Sequence, residues 1–380
     1  MNHTHRGLTL ATALLGVFSL FACSNSSSSG GTTGKGEAKQ GAGPTVEAKQ
    51  GPPAEMNLLI WPDYIDEKIL KDFETKNNAR VRLTRYDSTE EMESKLAYAG
   101  ADSQYDVVIL ASQVLPRMVR RGLVRPLDHS KLTNIRNLDT RFSGPNFDNG
   151  NKHAIPYQWG LVGILYNKKK LPELEPSWTV LFDPKKVPGT FELMDEQRDM
   201  LGVTLKYKGY SSNTTSTEEI QVARSVLKET KAHPKCLGFK GGVGAAEDVK
   251  AGSTDMAVVW NGDAQKAIRE DKDQRLAFVI PKEGSVLWVD VMAIAAKAPN
   301  PDLAHRFVNH LLIPEVGAQL SMYTKYATPN AVAQTKLPDE DRNNTLVYPS
   351  QEVSLRLEHH RDIGDAAKVF DEVWTDVKSQ

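Results

Sequence analysis

The chain has 380 residues, 40% of them hydrophobic and 25% charged, with a formal net charge of -1. A near-neutral balance on so charged a surface argues against a nucleic-acid partner, which calls for a basic face. Cys23 and Cys236 are the two cysteines. Once Cys23 is acylated, as argued next, they can form neither an internal disulfide nor a thiolate metal cluster, and Cys236 reads as a packed thiol.

The first residues, MNHTHRGLTLATALLGVFSLFAC, join a weakly basic start (His3, His5, Arg6) to an apolar run from Leu8 to Ala22. That pattern is an export signal. It is too short for a permanent transmembrane helix, and no later stretch is long and apolar enough to be one. The run ends in Leu20-Phe21-Ala22-Cys23, a lipobox-like sequence in which Phe21 is the departure. The expectation is a lipidated Cys23 as mature N-terminus; the alternative is an ordinary signal peptide that ends near a cysteine. From residue 24 to about 55 the chain is rich in Ser and Gly and nearly free of large apolar side chains, so it reads as a flexible tether. Signal, acylated cysteine and tether together place a folded body outside a membrane.

The roughly 325 residues beyond the tether exceed what one core usually fills, so two domains are expected. From Asn57 the pattern alternates: strand NLLIW, amphipathic helix IDEKILKDFETKN, strand RVRLTRY, helix TEEMESKLAYAG, strand YDVVIL. Alternation of this kind predicts a parallel sheet wrapped by helices. A helix around VLPRMVRRG ends at Gly122, and a loop-rich stretch leads to the apolar HAIPYQWGLVGILYN, with a new unit beginning near Trp159. The second region carries GTFELMDEQRDM, a helix near TEEIQVARSVLKETK, and strand-like DMAVVWNGDAQKAIRED and LAFVIPKEG. After GSVLWVDVMAIAA come two helices that each open on Pro, PDLAHRFVNHLL and PEVGAQLSMYT. Ligands of open parallel sheets bind beyond the carboxyl ends of the strands, so the site is expected in a cleft between two such sheets.

Three segments at the ends of apolar runs pair a Trp with an Asp: Trp61-Pro62-Asp63-Tyr64, Trp260-Asn261-Gly262-Asp263 and Trp288-Val289-Asp290. A Trp face stacks on methylenes and attracts cations, worth about 0.5 to 2 kcal/mol. A neighbouring Asp neutralises an ammonium through charge-assisted hydrogen bonds. Any single pair is as readily a packed Trp beside a helix cap, as Asp63 is placed to be before IDEKIL. Three recurrences favour a slender cationic ligand.

In order and at similar separations, IWPDYI, YDVVILAS, IPYQWG, YKGYSSNTTSTEEI, VVWNGD, PKEGSVLWVD, TPNAVA and HRDIGDA resemble the spermidine- and putrescine-binding proteins of bacterial ABC transporters, over about residues 56 to 378. The resemblance implies an α/β, two-lobed periplasmic-binding-protein fold of type II-like topology, with the ligand cleft between lobes joined by hinge strands near Tyr157 to Leu161 and Gly284 to Trp288. It implies residues 56–158 plus about 285–325 as one lobe, and 159–284 plus about 326–380 as the other. Trp61, Tyr64, Trp260 and Trp288 would wall the slot, and Asp63, Asp263 and Asp290 would face the amines. Glu196 and Asp199, three residues apart, occupy matching acidic positions with their acid types exchanged. Tyr326 matches a site tyrosine, Ser112 stands in for a serine whose neighbouring aromatic is lost, and His360 replaces an amide. Asp263 resembles the putrescine-preferring branch. The resemblance further implies an ABC permease as partner, a monomer, and no cofactor.

An enzyme built on paired carboxylates is the main competing class. No nucleophile elbow, Walker loop, His-Glu-x-x-His or Cys/His metal spacing occurs, and His359-His360 reads as a solvated or packed pair. Closer alternatives keep the fold but bind another organic cation, an amino acid derivative or a ferric ion, or act as a sensor. Tyrosine-rich iron sites differ from a site with Trp beside each acid.

Overall fold

A computed structural model describes residues 51–98 and 104–379 of the chain. The signal, Cys23 and the tether as far as residue 50 lie outside the described residues. β1 (Ala54–Ile60), β2 (Ala79–Arg85) and β3 (Val107–Ala111) alternate with α1 (Glu67–Asn77) and α2 (Thr89–Tyr98), and the three strands pair in parallel with β1 in the middle. α1 forms where the pattern places it: Asp66 caps its start by accepting from the Lys68 N–H at 2.9 Å, Ile69, Leu70 and Phe73 bury one face, and Asn78 ends it in a left-handed conformation. β1 begins at Ala54, two residues inside the segment read as tether, because Ala54 pairs with Ala79.

After α3 (Leu115–Arg120) and a run of 3-10 turns comes β4 (Ala154–Asn167), buried along nearly all of its 14 residues. The chain continues through α4 (Thr179–Phe182), β5 (Phe191–Met194), α5 (Gln197–Tyr207), α6 (Thr217–Lys231), β6 (Cys236–Lys240), α7 (Gly242–Ala251), β7 (Met256–Trp260), α8 (Asn261–Glu270) and β8 (Leu276–Val279). β9 (Ser285–Ile294) and the two Pro-initiated helices α9 (Pro301–Leu311) and α10 (Pro314–Thr324) follow. Short helices α11 (Ala331–Thr335), α12 (Asp339–Arg342) and α13 (Gln351–Ser354), strand β10 (Leu357–His359) and α14 (Ala366–Lys378) complete the body.

The sheet order is β2-β1-β3-β9-β4-β7-β5-β6, with β10 on β9 and β8 on β4. The expected parallel pairing holds within β1–β3 and within β5–β7. Between these two groups run β9 and β4, antiparallel to each other and to their neighbours β3 and β7, so the sheet is mixed. β4 passes unbroken through Trp159: its first half pairs with β9, and its second half with β7 and β8. The hinge segments are thus adjacent strands, with Gly160 opposite Trp288 and Gln158 opposite Asp290.

One segment departs from its sequence reading. MAVVW is a strand, but NGDAQKAIRE is the helix α8. Ala264 and Ala267 recur at helical spacing and are buried, which the apolar run before them masks. Among the described residues, no helix is long and apolar enough to cross a membrane.

Candidate functional site

Parallel strands carry their side chains to one end of the sheet, and there the chain builds a cavity of about 400 Å³. β1 delivers Trp61 to Tyr64, β2 leads to Asp87 and Thr89, and β3 ends at Ala111 and Gln113. β5 leads to Asp195, Glu196 and Asp199, β6 to the Gly241–Gly244 turn, and β7 ends at Trp260. Trp288 and Asp290 come from the middle of β9, and Tyr326 follows α10. The cavity therefore lies beyond the carboxyl ends of both parallel groups, with the strands that join them as its floor.

Ten of the residues singled out in the sequence line this cavity: Trp61, Asp63, Tyr64, Glu196, Asp199, Trp260, Asp263, Trp288, Asp290 and Tyr326. Ser112 and His360 do not. Ser112 is fully buried behind the wall, with Oγ 3.4 Å from Nε2 of His359, while its neighbours Ala111 and Gln113 face the cavity. His360 is also buried and reaches the site through Asp199, with Nε2 2.8 Å from Oδ1. A carboxylate only accepts, so Nε2 carries the hydrogen. The other oxygen of Asp199 accepts the indole N–H of Trp260 at 2.7 Å. Both Asp199 oxygens thus serve the protein, and Glu196, the N-cap of α5, is the uncommitted acid of that pair.

Three glycines seat three of the rings. A Cβ on Gly160 would lie 2.5 Å from the Trp288 ring, one on Gly242 2.5 Å from Trp260, and one on Gly262 2.3 Å from Tyr326. The aromatic wall is also braced edge to face, Tyr326 meeting Trp288 at 4.9 Å and Tyr64 at 5.8 Å between ring centres. Trp61 leans on Tyr86 at 4.4 Å. Asp63 sits at φ 51°, a left-handed conformation that Asp tolerates better than most residues and that is concentrated at functional turns.

The acids fall at three stations. Glu196 is at one end, and burial pushes its carboxyl well above the usual range, with Asp199, Glu90, Asp195 and Asp290 adding repulsion. Asp290 lies between the ends, within charge reach of Glu196 on one side and of Tyr326 on the other. Burial pushes it up to about 7, partly offset by the Tyr64 hydroxyl, which faces it without closing a hydrogen bond of normal geometry. At the far end Asp263 feels the charge of Asp63. Burial pushes Asp263 up to about 7 as well, against the pull of Tyr326 and Lys266. Asp263 keeps some surface on the cavity, yet protein packs so closely around it that its charge is poorly solvated. Oδ2 of Asp263, Oε1 of Gln113, the Tyr64 hydroxyl and the Trp288 indole N–H are buried without partners. The charged lining residues are acids apart from Lys266, so the cavity carries too little positive charge.

Gln113, Lys266 and the seating glycines were not singled out in the sequence. Only for Lys266 was a signal available: it stands three residues after Asp263, a spacing that is informative once the segment is known to be helical. Among the described residues, no cluster of three or more His, Cys, Asp or Glu side chains is placed to hold a metal.

A cleft between two parallel groups joined by crossing strands, lined by aromatic faces and carboxylates, is the site of a two-lobed binding protein. Residues 68–345 match the bacterial extracellular solute-binding protein family, and the chain belongs to it. It is 32% identical over 320 residues to a spermidine/putrescine-binding periplasmic protein of Salmonella typhimurium, covering 84% of this chain and 90% of that one. A putrescine/cadaverine-binding protein of Pseudomonas aeruginosa is 31% identical over 333 residues, covering 84% and 92%. Among solved structures, a putative spermidine/putrescine ABC transporter from Listeria monocytogenes superposes with a TM-score of 0.77 at 34% identity, covering 85% of this chain and 98% of the other. The family and the two curated relatives are binding proteins, and this chain is a binding protein rather than an enzyme.

Proposed function

We propose that this protein captures a linear polyamine, putrescine or spermidine, for an ABC permease. The observation that carries the reading is the alternation along one slot of acid and aromatic face: Glu196, then Asp290 beside Tyr64 and Trp288, then Asp263 and Asp63 beyond Tyr326. A polyamine has the complementary pattern, ammonium and methylene run in turn. An amine with a pKa near 10, like lysine, arrives protonated, and the carboxylates of the cavity supply the negative charge it needs once it leaves water.

Capture proceeds by closure. The lobes, with 56–158 and about 285–325 in one and 159–284 and about 326–380 in the other, rotate about the paired hinge segments of β4 and β9. Trp61 approaches from one side and Trp260 from the other, water leaves, and the ammonium groups draw Asp263 and Asp290 into their charged forms. Cys23 bears the lipid that holds the monomeric protein outside the membrane, and the closed form is what the permease receives.

The test is isothermal titration calorimetry of the mature protein, freed of carried-over ligand by unfolding and refolding, against putrescine, spermidine and spermine. Saturable one-to-one binding that Asp290→Ala abolishes supports the reading. No heat from folded protein with any of the three sinks it and turns attention to other organic cations.

A further inference from the structure

Lys266 is a cation in the wall of a cavity whose other charged lining residues are acids. It stands one turn after Asp263 on α8, so the two side chains share a helix face. The side chain is half-buried, and among the described residues its ammonium closes no ion pair. Its interaction is with the face of Tyr323, Nζ lying 6.0 Å from the ring centre. Tyr323 is within charge reach of Asp63, and Asp63 is within reach of Asp263. Lys266 therefore belongs to the station formed by Asp63 and Asp263. The stations at Glu196 and Asp290 have no lysine or arginine in the cavity lining; outside that lining, half-buried Arg198 is within charge reach of Asp199 and Glu196.

We infer that Lys266 is a specificity-determining residue that selects against polyamines with a third ammonium group. The inference rests on the polyamine reading and narrows it. A diamine is neutralised by Glu196 and Asp290, the two stations with no cation in the cavity lining, with its methylene run against Trp288 and Tyr64. A triamine that uses those two must set its remaining ammonium beside Asp63 and Asp263, where Lys266 already supplies a positive charge. Like charges in a partly desolvated site repel far more strongly than in bulk water. Lys266 is held to this end by its place on α8 and by the Tyr323 face, so avoiding the contest means displacing it toward solvent.

The experiment compares the native protein with Lys266→Gln and Lys266→Arg by calorimetry against putrescine and spermidine, with a thermal melt of each variant to establish folding. The native protein is expected to bind putrescine more tightly. Lys266→Gln is expected to tighten spermidine by about tenfold or more while moving putrescine by no more than about threefold, and Lys266→Arg, which keeps the charge, to preserve the native ratio. An unchanged spermidine-to-putrescine ratio in Lys266→Gln overturns the inference and leaves the polyamine reading standing; so does a native preference for spermidine. Binding of neither amine by any of the three proteins overturns the polyamine reading and this inference with it.

Discussion

The Asp199 carboxylate ties Trp260 to His360: one oxygen accepts the indole N–H at 2.7 Å, and the other lies 2.8 Å from Nε2 of the imidazole. The start of α5, the end of β7 and the residue after β10 meet at this one side chain. An aromatic wall is useful to a ligand only if its rings are fixed before the ligand arrives, and Asp199 fixes one of them.

Replacing Asp199 by Ala leaves two N–H groups without acceptors, the buried one of His360 and the partly buried one of Trp260. Each such loss costs about 1 to 3 kcal/mol, so the unfolding free energy is expected to fall by about 2 to 6 kcal/mol. Asp199→Asn keeps one acceptor and should lose about half as much. Urea unfolding of both variants checks this, and equal losses would show that the second oxygen contributes nothing.

Ligand binding is expected to release protons near pH 7. Burial holds Asp263 and Asp290 at about 7 in the ligand-free protein, and an ammonium beside them pulls their pKa down. Heats of spermidine binding at pH 7, which brings an ammonium to both acids, should therefore vary with the ionisation enthalpy of the buffer, and affinity should climb between about pH 5 and 8 and then level off. Heats independent of the buffer would mean the two acids are already ionised.

The same two carboxyls give the ligand-free protein an unusual stability profile. Their folded pKa is raised above the unfolded value of about 4, so their contribution is fully present below that value and is lost as pH rises toward 7. His359 has the opposite sign. Burial lowers its pKa to about 4, so the unfolded chain takes up its proton first and stability is lost as pH falls below about 6.5. Thermal melts of Asp290→Asn are expected to lose part of the decline between about pH 4 and 7, and those of His359→Gln part of the decline below about pH 6.5. Profiles that overlay the native curve would refute both assignments.

Gly160→Ala places a methyl 2.5 Å from the Trp288 ring and 2.5 Å from Oδ1 of Asn261, the oxygen that accepts the Leu161 N–H. The ring must tilt out of the floor. Affinity is expected to fall by about tenfold or more with the circular dichroism spectrum preserved, since misplacing one wall residue spoils stacking without removing the core. Native affinity in this variant would show that the Trp288 ring need not lie where it does.

Much of the site was readable because strand ends advertise themselves. Trp61, Trp260 and Trp288 each close an apolar run, and the acids beside them then fall at the ends of the sheet or on its floor. What resisted reading was long-range geometry. Ser112 and Gln113 are neighbours in a turn, and nothing local says which faces the cavity. His360 looks like a ligand contact by its place in the chain, yet it supports Asp199 from behind. The helical start of α8 was hidden by the strand before it, and with it went Lys266. The glycines under the rings carry no side chain to notice; their role appears only when a ring is found above them.

The pairing of β4 with β9 has a kinetic consequence. In the closure proposed above, Trp288 and Asp290 belong to the paired strands about which the lobes would turn, opposite Gly160 and Gln158, so they would travel little, whereas Trp61 and Glu196 would be carried on either side. Encounter is then governed by a floor that is the same in every jaw position. Departure is governed by how often the rim swings away, and substitutions at the rim should shorten residence time while leaving the capture rate nearly untouched.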